Sequence, residues 1–221
     1  DPQGNASTGL GIPAGDRRRN AYHALIGEVA ATTTIQATAV PNLGIVPAGV
    51  DLSGAEIELA QQSAREFFLR RALEDLTGQA IDYVFIDCPP ALGLLTVNAL
   101  TAAHGVLVPL QCEFFALEGI VHLMRTIERV RTSFNPRLEV QGIVLTMFDR
   151  RNRLSELVAS DVRSHFGTKV YETVIPRNVR VSEAPSHGRP VLLYDFNCPG
   201  SQAYLLLARE VLRREQTLEV S

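Results

Sequence analysis

Apolar positions along this chain fall into two alternating spacings. Short, nearly unbroken apolar runs occur at residues 43–48, 83–86, 105–110, 140–146 and 170–175, and each predicts a strand. Tyr83-Val84-Phe85-Ile86 is β-branched or aromatic throughout, which predicts a strand buried inside a parallel sheet. Between these runs, apolar residues recur three and four apart. Residues 55–76 predict a helix with Ile57, Leu59, Phe67, Phe68, Leu73 and Leu76 facing inward. Further helices are predicted over 92–103, 117–134 and 154–166; in the second of these Ile120, Leu123, Met124, Ile127 and Val130 form the inner stripe. A terminal helix over 201–214 carries Ala203, Leu206, Leu207, Val211 and Leu212 as a core-docking stripe, and 191–194 reads as a short strand. The Ala- and Thr-rich stretch 30–41 reads as a mobile loop.

This alternation predicts the α/β class: a doubly wound, mostly parallel sheet with helices on both faces. Such sheets bind ligands outside the carboxyl ends of their strands. Asp1, Asp87, Gln111, Thr146 and Pro176 all stand at predicted strand carboxyl ends, so one edge is expected to collect the chemistry. The length of 221 residues suits a single domain spanning 1–221.

Composition narrows the function classes. The formal net charge of -3 excludes an overall basic coat but leaves room for a local basic face. Three cysteines, at 88, 112 and 198, have neither paired nor metal-like spacing, which predicts a reduced, cytoplasmic setting. No apolar run reaches the length of a membrane span and no signal peptide is visible, so no membrane attachment is expected.

The candidate chemistry centres on two carboxylates. Asp1 opens the string Asp1-Pro2-Gln3-Gly4-Asn5-Ala6-Ser7-Thr8-Gly9-Leu10-Gly11, an acidic residue followed by turn-forming polar residues. Asp87 ends the predicted buried strand, where an unpaired charge is costly. Two such carboxylates can hold Mg²⁺ and a water over a phosphate chain. Either residue could instead be a turn or helix-cap aspartate. Pro89-Pro90 then forces a stiff, extended exit. The phosphate-cradling pattern G-x-x-x-x-G-K-[ST] does not occur in the chain.

At the next strand ends, Thr146 and Met147 face Pro176, Arg177 and Asn178 as the two walls of a possible base pocket, although the latter string could be a plain turn. Arginines cluster at 150, 151 and 153, at 177, 180 and 189, and at 209, 213 and 214, which suggests a phosphate-contacting face or merely solvated helix ends. No recognition helix is apparent, so base-specific reading of DNA is not expected. The five histidines have no ligand spacing.

Several long strings carry a family resemblance. The Asp1–Gly11 string, Pro47-Ala48-Gly49-Val50-Asp51-Leu52-Ser53-Gly54-Ala55-Glu56-Ile57-Glu58-Leu59, Asp87-Cys88-Pro89-Pro90-Ala91-Leu92-Gly93-Leu94-Leu95-Thr96-Val97-Asn98-Ala99-Leu100 and the string from Ile175 to Pro190 resemble the ParA/Soj chromosome-partitioning ATPases of the deviant-Walker class. The resemblance implies a P-loop NTPase-like fold and an ATP- and Mg²⁺-dependent homodimer that binds nonspecific DNA, associates with the nucleoid and is stimulated by a ParB-type centromere-binding partner. It implies that Asp1 is the hydrolytic aspartate and Asp87 the Walker B aspartate acting on Mg²⁺ through water. It places Thr146, Met147, Pro176, Arg177 and Asn178 at the nucleotide, and Arg151 and Arg180 at DNA. The family's first strand, P-loop and first helix precede the point where this sequence starts, so the chain as it stands is expected to bind ATP poorly. Two other classes share the fold: a MinD-like membrane-associated spatial regulator, which would need a basic amphipathic C-terminal helix, and a non-catalytic interaction module.

Overall fold

In the computed structural model, three of the predicted strands pair as one parallel sheet. The structure describes residues 1–219, which fall into two compact units. The first comprises Asp1–His104, Thr126–Leu138 and Pro185–Arg189; the second comprises Gly105–Arg125, Glu139–Ala184 and Pro190 onward.

The first unit is built from short helices: α1 (Asn5–Gly9), α2 (Ala21–Leu25), α3 (Leu52–Leu59), α4 (Phe68–Glu74) and α5 (Leu94–Ala102). A two-residue hairpin pairs β1 (Gln36–Ala37) with β2 (Gly44–Ile45). Helix α2 begins where the Asn20 side chain accepts from the Tyr22 amide, and α3 where Asp51 accepts from Leu52. Leu52, Ala55 and Leu59 lie on one face of α3 and are buried with Leu25 and Ala48, against Phe68, Leu69, Leu94 and Leu95. Buried Asn98 stitches this core together: it accepts from the Leu69 amide and donates to the Arg65 and Leu94 carbonyls.

Several sequence expectations fail in this unit. The helix predicted over 55–76 breaks after Leu59, because Ala64 adopts a left-handed backbone (φ 52°) before α4 restarts. Ile57 lies 79% exposed, since the inner face of α3 runs through Ala55 and Leu59 instead. The strand expected at 43–48 shrinks to β2, and the loop expected at 30–41 contains a 3₁₀ turn, Ala31–Thr34, whose Thr34 hydroxyl donates to the Ala31 carbonyl. Residues 83–86 form no strand and pair with none among the described residues, and Phe85 is 81% exposed. A run of β-branched and aromatic residues favours extended backbone; burial requires a neighbouring strand as well.

The second unit holds the parallel sheet, in the order β3 (Gly105–Gln111), β4 (Glu139–Phe148) and β5 (Val170–Pro176). Helix α6 (Ala116–Ser133) supplies its first part to this unit and its last part to the first unit. Helix α7 (Arg153–Phe166) starts where Asn152 accepts from Leu154. Ala116 and Ile120 of α6 and Val158, Ala159 and Val162 of α7 pack on one face of the sheet, against Val108, Leu110, Ile143, Leu145 and Val170. Short helices α8 (Val179–Glu183) and α9 (Val191–Tyr194) lead to α10 (Pro199–Glu219). Residues 191–194 are therefore helical rather than a strand: Pro190 fixes the entry and its carbonyl accepts from Leu193 and Tyr194. Helix α10 covers the other sheet face with Ala203 and Leu207, which meet Val144, Tyr171 and Ile175. Leu206 and Leu212, expected in the same stripe, are exposed because the contact follows a spacing of four. Helices on both faces complete the doubly wound layering predicted for this sheet.

A polar knot locks α10 to β5. Glu210 is buried and accepts from the Glu172 and Thr173 amides at 2.8 and 2.9 Å and from Arg214 at 2.8 Å. The Arg214 guanidinium also donates to the Thr168 and Val170 carbonyls and lies 4.1 Å over the Tyr171 ring. Burial pushes the Glu210 carboxyl up, but the two amides and Arg214 outweigh it and hold the group below its ordinary range. Replacing Glu210 with Ala is expected to destabilise the second unit by about 3–5 kcal/mol, because it strands a half-buried cation. A depressed folded-state value means the stabilisation is present at neutral pH and is lost as pH falls through that value. Thermal unfolding of the wild type and Glu210→Gln is thus expected to differ most at neutral pH, to begin converging below about pH 4.3, the unfolded value, and to meet only once the pH has passed the lower folded-state value.

Candidate functional site

Asp1 sits in a tightly wound segment of the first unit. Its carbonyl accepts from the Gly4 amide at 3.0 Å, and its Oδ1 accepts from the Gln3 amide at 3.1 Å, an Asx turn. Oδ2 has only a long contact, 3.5 Å from Asn5 Nδ2, and that amide also donates to Gln3 at 3.0 Å. The turn reading of Asp1 is therefore realised in the structure, and it leaves one carboxylate oxygen lightly engaged.

The segment after Asp1 is clamped by a residue the sequence did not single out. Arg17 Nε and Nη2 donate to the Ile12 carbonyl, Nη1 to the Gly4 and Ala48 carbonyls, and Nη2 to the Thr8 hydroxyl. One guanidinium fork thus satisfies acceptors from two separate stretches, residues 4–12 and Ala48. Gly4 is left-handed (φ 66°), and a Cβ there would run into Arg17 and lie 2.7 Å from the Ala48 carbonyl oxygen. Buried Ser7 accepts from the Ala48 amide at 3.0 Å. Gly11 and Gly188 touch backbone to backbone: a Cβ on Gly11 would lie 2.9 Å from the Gly188 carbonyl oxygen. The only sequence signal for Arg17 was its place in the basic run Arg17-Arg18-Arg19, which reads as surface charge.

Asp87 meets this segment through its backbone. The α-amino group of Asp1 donates to the Asp87 carbonyl oxygen at 2.9 Å. The two acidic segments expected to share a site are thereby adjacent, although neither stands at the end of a paired strand. Asp87 is exposed, which removes the desolvation argument made for it from a buried strand. Hard oxygen ligands on two adjoining segments, with Asp87 open to solvent, fit a hydrated Mg²⁺ ion, which takes one or two carboxylates and keeps its waters. Cys88 is exposed and Cys112 and Cys198 are buried; no cluster of metal-ligating side chains appears among the described residues.

The second unit brings together the other candidates. β3 and β4 run parallel with Gln111 opposite Thr146, and β4 meets β5 with Phe148 opposite Pro176. The β4–β5 register shifts between Leu145 and Phe148, and within this irregularity Met147 holds a left-handed backbone (φ 52°). Left-handed backbone is strained for a Met side chain, and such strain concentrates at functional sites. The Arg177 amide donates to the Phe148 carbonyl at 3.0 Å, which closes the wall formed by Thr146 and Met147 onto Pro176, Arg177 and Asn178. Asn178 caps α8 by accepting from the Arg180 amide, so its side-chain oxygen is already engaged.

The arginines divide by environment. Arg151 is 92% exposed and makes one contact to Asp149 at 3.3 Å. The Arg151 amide and guanidinium hold the Asp149 carboxyl below its ordinary range. Arg180 is held by Glu183 at 2.9 Å and by Asp195 at 3.5 Å. Arg214, counted with the basic clusters, belongs to the Glu210 knot. No helix among the described residues is long and apolar enough to cross a membrane.

With this geometry in place, known proteins align closely. The AAA domain family model matches residues 1–140. The chain is 64% identical over 217 residues to the chromosome partitioning protein ParA of Caulobacter vibrioides, covering 98% of this chain and 81% of that protein. It is 50% identical over 211 residues to the sporulation initiation inhibitor protein Soj of Bacillus subtilis, covering 96% of this chain and 83% of the relative. In structure it resembles cobyrinic acid a,c-diamide synthase of Mycobacterium smegmatis, solved with bound ADP and magnesium, with a TM-score of 0.83, 36% identity and coverage of 98% and 80%.

The Arg17 clamp yields a direct test. Arg17→Ala is expected to destabilise the first unit by about 1.5–3 kcal/mol, the range for hydrogen bonds to a charged group. Amide exchange at residues 4–12 is expected to accelerate, while exchange in the sheet of the second unit stays unchanged. Unaltered exchange at residues 4–12 would show that the segment holds itself.

Proposed function

The chain belongs to the ParA/Soj family of chromosome-partitioning ATPases, and from that membership we propose an ATP-hydrolysing switch whose reactive end is formed by Asp1 and Asp87. The observation that supports this reading is the 2.9 Å bond from the Asp1 α-amino group to the Asp87 carbonyl oxygen, which sets the two acidic segments side by side. The nucleotide would supply the phosphoanhydride, and Mg²⁺ would neutralise charge on it. Asp87, exposed, would hold that ion through one of its bound waters. Asp1 Oδ1 is fixed by the Gln3 amide, so Oδ2 is the oxygen free to accept a proton from a water and hold it in line. The Gly4 turn and the Arg17 clamp keep that carboxylate still, which limits the reorganisation needed during reaction.

For the second unit, taken by itself, we propose that Thr146, Met147, Pro176, Arg177 and Asn178 form a wall for a nucleotide base. The strained Met147 backbone and the Arg177–Phe148 bond support it, because they set main-chain groups in a fixed wall. Specificity for adenine would come from those backbone groups, since the Asn178 side-chain oxygen caps α8.

We further propose that the family's cycle applies to this chain as a single ATPase domain: an ATP-loaded homodimer on nonspecific DNA, nucleoid-associated in the cytoplasm and stimulated by a ParB-type partner. Arg151 is the stronger DNA candidate because its guanidinium is 92% exposed with one weak local partner. Arg180 contributes less, because two carboxylates already share it.

In the full-length protein, Asp1→Ala is expected to retain ATP binding while steady-state hydrolysis falls by about 10²–10⁴-fold; unchanged hydrolysis would remove Asp1 from the reaction. Arg151→Glu is expected to weaken binding to DNA of any sequence and to flatten the log–log salt slope by about one unit. Arg180→Glu is expected to act mainly by repelling Glu183 and Asp195, with a smaller change in slope. Titrations at several salt concentrations separate the two, and equal slopes for Arg151→Glu and wild type would move the DNA face elsewhere.

A further inference from the structure

The two acidic segments of the first unit are joined a second time, through α3. On one side, α3 and the loop before it hold the region that follows Asp1. Asn20 Nδ2 donates to Asp51 Oδ2 at 2.7 Å, the Tyr22 hydroxyl donates to Glu58 Oε1 at 2.7 Å, and the Ala21 amide donates to the Pro47 carbonyl at 2.8 Å. On the other side, Glu56 Oε1 accepts the Leu95 amide at 3.1 Å, at the first turn of α5. Gly93, the N-cap of α5, offers no side chain to cap it. A Cβ on Gly93 would run into Glu56 Oε1, so the glycine is what lets the carboxylate in.

The stretch between Asp87 and α5 has little means of anchoring itself. Pro89 and Pro90 carry no N–H, and their rings restrict the backbone to extended conformations. The stretch is gripped at three points: the Asp87 carbonyl accepts from the Asp1 α-amino group, the Ala91 carbonyl accepts from the Thr96 hydroxyl at 2.6 Å, and the Leu95 amide donates to Glu56. A stiff segment held at both ends transmits a displacement of one anchor to the other. An anionic carboxylate at the amino end of a helix is also favoured by the helix dipole, which strengthens this anchor.

We infer that Glu56 is a positioning residue for the ATPase reaction: by holding the first turn of α5 it sets where the Asp87 carboxylate stands relative to Asp1. The inference rests on the reading of Asp87 as the Mg²⁺ partner. A residue that orients a metal partner from behind changes metal affinity or activity by about 10–100-fold when removed.

The test compares Glu56→Ala, Glu56→Gln, Gly93→Ala and Asp87→Ala in the full-length protein. The Mg²⁺ concentration giving half-maximal ATP hydrolysis is expected to rise by about 10–100-fold in Glu56→Ala. Glu56→Gln keeps an acceptor for the Leu95 amide and is expected to restore the wild-type midpoint. Gly93→Ala displaces the carboxylate by a separate route and is expected to mimic Glu56→Ala, which keeps the test available if Glu56→Ala does not fold. Amide exchange without nucleotide gives a readout independent of activity: residues 91–95 are expected to exchange faster in Glu56→Ala and normally in Glu56→Gln. If Asp87→Ala shifts the Mg²⁺ midpoint while Glu56→Ala and Gly93→Ala lower only the melting temperature, Glu56 is a helix cap and the inference is overturned. If Asp87→Ala leaves the midpoint unmoved, the reading of Asp87 itself fails.

Discussion

Five hydrogen bonds from one guanidinium organise the acidic segment at the start of this chain. Arg17 reaches the carbonyls of Gly4, Ile12 and Ala48 and the hydroxyl of Thr8. Buried or half-buried carbonyls left unmet cost as much as a broken hydrogen bond, so this side chain reinforces the winding that the backbone bonds of residues 1–12 begin. The fixed placement of Asp1, its contact with Asp87 and the close approach of Gly11 to Gly188 all follow from that winding.

The second unit solves a different problem. A parallel sheet has to be covered on both faces, and here α6 and α7 cover one while α10 covers the other. The sheet edge is tied to α10 by charge as well as by apolar contact. Glu210 takes two amides at the start of β5, and Arg214 lies on Tyr171. With β3, β4 and β5 in fixed register, the ends of β4 and β5 meet at Phe148 and Pro176, and the strain at Met147 is held by the strands around it.

Stiffness is distributed unevenly along the candidate reactive end. The Asp1 side is wound and clamped, whereas the exit from Asp87 has no regular structure and is held at Asp87, Ala91 and Leu95. A carboxylate on such an exit can shift with its anchors, which suits a residue that has to respond to a bound ion. The small helix α3 carries anchors for both sides, with Asp51 and Glu58 facing the region after Asp1 and Glu56 facing α5.

Local pattern alone determined the α/β class, the parallel strands β3 to β5, and helices α6 and α7 to within a residue or two. These were legible because periodicity and turn chemistry act over a few neighbouring residues. The resemblance to ParA/Soj was likewise carried by long local strings. Tertiary structure decided what each side chain meets. It left 83–86 outside any sheet among the described residues, because an extended tendency does not supply a neighbour. It exposed Ile57 and buried Leu52, because the packed face of α3 is chosen by what lies against it. It separated Arg17 and Arg214, bound to carbonyls and a carboxylate far along the chain, from Arg151, which stands in solvent. A guanidinium has the same chemistry in every case; only folding brings distant acceptors within its reach, and sequence spacing carries no record of that distance.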